Sequence, residues 1–248
     1  MKYGIVCAMQ EEIGLLLPDI VGASITKIAG RDFYEGKLYG KDSVVVMSRI
    51  GKVASALTVT AMINRFHVDC IIFCGTAGGI NPSLSVGDIV VADRLVQHDF
   101  FTGTDYFRIP LIDVSYFQPD IILSEKVFRS VEEYIGKSMF KEIPKQYLDE
   151  FSIQSPKVVT GTIASGDQFI CDESRKQWLI KNIDNLKCVE MEGAAIAQVC
   201  YEYQIPYAVM RVISDSANDT GCTDFERFVA NAACHFTRGS LKAFLSSN

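Results

Sequence analysis

The sequence predicts an α/β domain whose sheet is covered by helices on both faces. Three observations carry this expectation. Strand-like and helix-like segments alternate through much of the chain. Several strands, among them "VDCIIFCGTAGG" and "PYAVMRVISD", are apolar at nearly consecutive positions, as strands buried on both faces are. The 248 residues are 48% hydrophobic, enough for a sizeable core, and no linker or internal repeat divides 1–248.

Each element has its own signal. "KYGIVCA" is a short, β-branched apolar run and reads as the first strand. "EEIGLLL" has helical spacing and stops at Pro18. Residues 23 to 50 read as a β-meander punctuated by Gly30 and Gly40. "GKVASALTVTAMINRF" is an amphipathic helix, and "VDCIIFCGTAGG" and "SVGDIVVADRLVQHD" are strands. Residues 99 to 123 are aromatic-rich and read as a long loop with a hairpin; 124 to 151 read as helical in parts. "KVVTGTIASGD" is a strand ending in a turn, and "CDESRKQWLIKNI" a helix with Asp172 near its start. "KCVEME", "GAAIAQVCYEY" and "PYAVMRVISD" give strand, helix and strand, and a last helix runs from about 223 to 244.

Composition narrows the function. The formal net charge is −6 with acids and bases interspersed, which argues against a general nucleic-acid or anionic-membrane surface. No apolar run reaches membrane-spanning length, and "YGIVCAM" is too short for a secretory core. The eight cysteines form no CxxC pair and lie mostly in apolar runs, which suggests reduced thiols in a cytoplasmic compartment. Three histidines without ligand-like spacing make a dedicated zinc site improbable.

In open α/β sheets, ligands collect beyond the carboxyl ends of strands. Five strand exits therefore matter: "AMQEE", "GTAGG", "SGDQFI", "VEMEG" and "ISDSAN". Each has two readings. Glu11 and Glu12 fit the first turn of a helix, where carboxylates favour the dipole, or a general base above the sheet. "GTAGG" is a tight turn or a close backbone approach to a ligand, with Thr76 offering a hydroxyl; it lacks the spacing of a phosphate loop or dinucleotide fingerprint. Phe169 is a core aromatic or a platform for a purine. Asp215 is a helix cap or a functional acid. Arg211, inside an apolar strand, needs a carboxylate partner, with Glu190 and Glu192 the candidates. An acid and a base in different environments would suit cleavage of a glycosidic bond through an oxocarbenium-like state.

Six motifs, "GIVCAMQEE", "GTAGG", "SVGDIVVAD", "SGDQFI", "VEMEGAAIAQVC" and "RVISDSAN", stand in one order over almost the whole chain. Together they closely resemble the 5′-methylthioadenosine/S-adenosylhomocysteine nucleosidases of the purine nucleoside phosphorylase superfamily. The resemblance implies a three-layer α/β/α sandwich around a central mixed, partly barrel-like sheet, a homodimer, and a place in methionine salvage. It implies hydrolysis of the N9–C1′ bond of 5′-thio-substituted adenosines without cofactor or metal. Glu12 would be the general base on water, and Asp215 the general acid at adenine N7. Glu192 would hold the ribose hydroxyls, with Met191 against the sugar and Glu190 as a neighbouring carboxylate. Arg211 and Thr76 would order the water and the acids, and Ser214 would orient Asp215. Phe169 would stack on adenine and the Ile170 main chain would bond its edge. Ala8, Met9, Ile50, Ala77 and Gly78 would line the pocket, and Phe225 would close it.

The resemblance is poorest over 100–147, where the family builds its pocket for the 5′ group partly across the dimer. Tyr106, Phe107 and Pro110 are the candidates there, against a reading as surface flap or interface packing. The choice among methylthioadenosine, S-adenosylhomocysteine and 5′-deoxyadenosine stays open at this point. Three rivals also stand: a phosphorylase using Arg31, Arg49 and Lys52 on phosphate, another nucleosidase such as one acting on futalosine, and a nucleoside-binding protein that has lost catalysis.

Overall fold

The computed structural model describes residues 1–217 and 221–247. Among the described residues, nine strands form one mixed sheet: β1 (Tyr3–Cys7), β2 (Ile20–Ile28), β3 (Arg31–Leu38), β4 (Lys41–Met47), β5 (Cys70–Gly79), β6 (Ile89–Gln97), β7 (Val158–Ser165), β8 (Leu186–Glu190) and β9 (Tyr207–Asp215). Their order is β2-β3-β4-β1-β5-β8-β7-β6-β9, and β9 also pairs with β5. That last pairing closes β5, β8, β7, β6 and β9 into a ring, while β1 to β4 extend as an open wing. Strands β4, β1, β5 and β9 are mutually parallel, which puts their carboxyl ends at one edge.

The continuous apolar runs have the cause the sequence suggested. Along β1 and β5, Ile5, Cys7, Ile72 and Cys74 face one core, and Val6, Ile71 and Phe73 face the other. The first core is closed by α3 (Ile121–Lys137) and α9 (Cys234–Ser246), through Val127, Tyr134, Phe236 and Phe244. The second is closed by α2 (Lys52–Phe66) and α7 (Gly193–Tyr203), through Val59, Met62, Ile196 and Cys200. The result is three layers, α/β/α. A smaller cluster packs α6 (Glu173–Asn182), capped by Asp172, which accepts from Arg175 N at 2.7 Å, beneath β7.

Three expectations change. "EEIGLLL" does not make a long helix: α1 is the single turn Gln10–Ile13, followed by a 3₁₀ turn at Leu17–Asp19. Gly14 and Pro18 weaken the interior of any longer helix. The segment after β6 forms no regular hairpin, only the isolated bridges Phe101 to Tyr106, Ile109 to Val114 and Leu95 to Phe117. The last helix is α8 (Gly221–Phe228) and α9 joined by a π turn at Val229–Ala233. An unbroken α-helix would set residues eight apart about 80° round its axis. The wider turn brings Phe228 and Phe236 onto one side, with ring centroids 5.8 Å apart. The two short helices α4 (Met139–Glu142) and α5 (Lys145–Glu150) complete the chain.

Helix α9 meets α3 at Gly239, where a Cβ would fall inside the ring of Tyr134. A Gly239→Val variant should therefore lose about 1–3 kcal/mol through overpacking. A lower denaturant midpoint at unchanged slope would show it; an unchanged midpoint would mean that the two helices part freely.

Candidate active site

The carboxyl ends of β1, β5, β8 and β9 surround one cavity that opens to solvent. Its walls hold Ala8, Met9 and Glu12 after β1, Thr76, Ala77 and Gly78 of β5, and Val189, Glu190, Met191 and Glu192 at the end of β8. Asp215 closes β9, Ile50 stands before α2, Gln168, Phe169 and Ile170 follow β7, and Phe225 comes from α8. Fourteen of the nineteen residues singled out in the sequence thus line one space. Arg211 and Ser214 lie just behind it, fully buried.

Glu12 occupies the first helical turn, where carboxylates favour the dipole, and its side chain reaches back over the sheet. Its Oε1 accepts from Thr76 N at 2.8 Å and Thr76 Oγ1 at 3.1 Å. Its Oε2 accepts from Ala8 N at 2.9 Å and Met9 N at 3.1 Å. Burial raises its carboxyl above the ordinary range, against the pull of Arg211 and of these donors. Three of the four donors are fixed main-chain amides; only the Thr76 hydroxyl can rotate away and leave a lone pair for a ligand. Glu11 is exposed and takes no part.

Arg211 resolves the two glutamates of "VEMEG". Its Nη2 donates to Glu190 Oε2 at 2.5 Å and stands 3.6 Å from Glu192 Oε2, and its guanidinium lies 3.7 Å from the centre of the Phe73 ring. Glu190 also accepts from Ser165 Oγ and from the amides of Glu192 and Gly193. Its oxygens are spent on the protein, so although it touches the cavity it is the brace of the cluster. Glu192 has one strong protein contact, Gly51 N to Oε1 at 2.8 Å. Burial first, then the neighbouring Glu190, pushes its carboxyl up to about 8. Burial opposes the charge of Arg211, but Glu190, Glu192 and Glu12 more than offset it and hold the guanidinium protonated.

Asp215 sits opposite. Its Oδ2 accepts from Ser214 Oγ and its Oδ1 from Ala217 N, each at 2.8 Å. The second bond closes a local turn two residues on rather than capping a helix, and α8 begins only at Gly221. Asn218, which ends the sixth motif, lies outside the described residues.

"GTAGG" is not a turn: β5 runs straight through it, paired with β9. The small residues there are needed for close approach. A Cβ on Gly75 would come 2.5 Å from both Arg211 Nη1 and Glu12 Oε1, and one on Gly78 would come 3.2 Å from Asp215 Oδ1. Glu12 and Asp215 therefore press on the same strand at points three residues, or about 10 Å, apart.

The aromatic segment stands elsewhere. Tyr106 is half exposed, stacked on Phe101 at 4.3 Å and edge-on to Trp178; Phe107 is buried in the α6 cluster; Pro110 is exposed. None of the three lines the cavity of the single chain. Gln168 and Val189, which do, lie inside quoted motifs but were not singled out, since neither residue type announces a role.

Fold and site together define an α/β enzyme with an acid-lined cleft at its strand ends. The chain belongs to the phosphorylase superfamily, whose family model matches residues 2–246. It is 35% identical over 235 residues to the 5′-methylthioadenosine/S-adenosylhomocysteine nucleosidase of Shewanella sp. (strain W3-18-1), covering 95% of this chain and 94% of that one. The nucleosidase of Neisseria meningitidis, solved with methylthio-immucillin-A, superposes with a TM-score of 0.85 at 29% identity, covering 100% and 99% of the two chains. The futalosine hydrolase of Helicobacter pylori strain 26695 superposes at 0.83 with 30% identity, covering 100% and 98%.

Glu192 gives this site a pH signature. An unfolded glutamate loses its proton near 4.5, whereas folded Glu192 keeps it to about 8. Between these values the folded state binds more protons, so its contribution to stability falls as pH rises. Unfolding free energies of the ligand-free protein across that window should show a decline that Glu192→Gln makes shallower. An equal slope in the variant would place the retained proton elsewhere.

Proposed function

We propose that this chain hydrolyses the N9–C1′ bond of 5′-methylthioadenosine and S-adenosylhomocysteine, releasing adenine and the 5-thio-substituted ribose. The observation that carries this reading is the pair of buried acids, Glu12 and Asp215, set against β5 at Gly75 and Gly78 and both lining one cavity. The similarity to named nucleosidases over nearly the whole chain supports it.

In this mechanism water attacks C1′ as the bond to N9 lengthens. Glu12 takes the water's proton, once the Thr76 hydroxyl has turned to admit it. Asp215 delivers a proton at N7, so adenine leaves neutral. Glu192 grips the ribose hydroxyls beside Met191, and Phe169, edge-on to Phe225 at 5.5 Å, stacks on the base while the Ile170 main chain bonds its edge. A phosphorylase would need cations at the nucleophile's place. Arg31 is instead tied to the carbonyls of Ala29, Ser48 and Ala54, Arg49 to that of Gly30, and Lys52 to Asp99; none lines the cavity. The carboxylate of Glu12 stands where phosphate would be repelled.

The working unit in this reading is a homodimer. Ile50, Val53 and Leu57 expose an apolar strip at the start of α2 beside the cavity mouth. A partner on that strip would complete the pocket for the 5′ group, with Tyr106, Phe107 and Pro110 as its candidates. Buried free thiols at Cys7, Cys70, Cys74, Cys188 and Cys200 fit a reducing, cytoplasmic setting, and the proposed reaction on methylthioadenosine fits a role in methionine salvage.

In phosphate-free buffer the wild-type protein should release adenine from methylthioadenosine and S-adenosylhomocysteine. Asp215→Asn and Glu12→Gln should each lose at least about 100-fold in kcat while unfolding at a near-normal midpoint. Strict phosphate dependence would make the enzyme a phosphorylase, and a clear preference for futalosine in the same panel would move the substrate. Sedimentation should give twice the chain mass; a monomer that is fully active would remove the shared pocket.

A further inference from the structure

Two walls of the cleft come from distant parts of the chain. One is the turn before α2, which supplies Ile50 and Gly51. The other is the loop 166–170 after β7, which supplies Gln168, Phe169 and Ile170. Neither Lys52 nor Asp99 lines the cavity, yet these two residues join its walls. Lys52 Nζ donates to Asp99 Oδ1 at 2.6 Å. Asp99 Oδ2 accepts from Asp167 N at 2.8 Å, and Asp167 Oδ1 accepts from Lys52 N at 2.8 Å. The contacts close a ring through three segments.

The ring is partly shielded from water: the side chains of Lys52 and Asp99 are each 17% exposed, so their attraction is screened less than that of a surface pair. Burial would raise the Asp99 carboxyl, but Lys52 and the Asp167 amide hold it below its ordinary value. The neighbouring amide, Gly51 N, holds Glu192. The first two amides at the start of α2 thus take one carboxylate from the sugar side and one from the base side. The loop also has a hard floor. His98 is fully buried with its ring neutral, its pKa held down to about 4 chiefly by burial, and a Cβ on Gly166 would overlap that ring.

We propose that Lys52 and Asp99 are positioning residues, whose ring with Asp167 sets the gap between the wall carrying Phe169 and Ile170 and the wall carrying Ile50 and Gly51. The inference rests on the nucleosidase reading. The reacting acids hang on other supports, Glu12 on β1 and β5 and Asp215 on β9 and Ala217. Opening the ring therefore loosens the grip on the base and leaves the acids in place.

The test compares wild type, Lys52→Met, Asp99→Asn and the double variant, by kinetics on methylthioadenosine and by calorimetric binding of adenine. Each single variant should raise KM about tenfold and weaken adenine in parallel, with kcat within about threefold. The double variant should be no worse than the worse single, because both remove one shared contact. An unchanged KM beside a lowered Tm would overturn the proposal, as would a fall in kcat at constant KM or losses that multiply. Asp167 is exposed, so Asp167→Ala covers the case in which the others do not fold; it too must raise KM. Wild-type turnover separates the two questions: no adenine release sinks the hydrolase reading, whereas normal turnover with unaltered variants sinks the ring.

Discussion

One arginine answers three carboxylates at the floor of the cleft. Arg211 is buried within β9 and faces Glu190, Glu192 and Glu12, all buried themselves. A buried cation without a partner would be prohibitively costly, and so would these acids without it. The cluster still holds more acid than base. It accommodates the excess by retaining a proton at Glu192, the member with fewest donors from the protein. The unequal treatment of the acids is thus a consequence of charge balance: Glu190 is saturated and braces, while Glu192 is left with capacity for a ligand.

The sheet makes this cluster possible. Strands β5 and β9 run parallel with Gly75 opposite Arg211 and Gly78 opposite Asp215, and the register shifts by one residue at Ser214. Bulges of this kind re-aim side chains beside active sites. Here the extra residue sets Asp215 against Gly78, with the Ser214 hydroxyl on its carboxylate. Closure of five strands into a ring brings β8 beside β5, which places Glu190 and Glu192 over the same floor. The open wing adds the turn before α2, whose amide fastens Glu192.

Much of this was legible from residue patterns. The strands of the core announced themselves through unbroken apolar runs, because both faces are covered. The strand-exit rule picked out Glu12, Thr76, Phe169, Glu192 and Asp215 before any contact was known. Legibility failed where local signals were cancelled by packing. "EEIGLLL" had the spacing of a helix, but Gly14 and Pro18 and the backward reach of Glu12 reduced it to one turn. Three glycines in "GTAGG" looked like a turn, yet they serve a continuous strand crowded by Arg211 and Glu12. The π turn before α9 has no sequence mark; it follows from the need to seat Phe228 and Phe236 in one core.

By itself the sequence determined the α/β class, the strand ends that line the cleft, and the residue types present there. These depend on periodicity and on side-chain chemistry, which are local. Only the tertiary structure decided which acid is braced and which is free. It also decided that Glu12 and Asp215 meet at one strand, and that Lys52, Asp99 and Asp167 tie one wall of the cleft to the other. Those outcomes depend on strand order, register and burial, which join residues distant in the chain and which no stretch of it records alone.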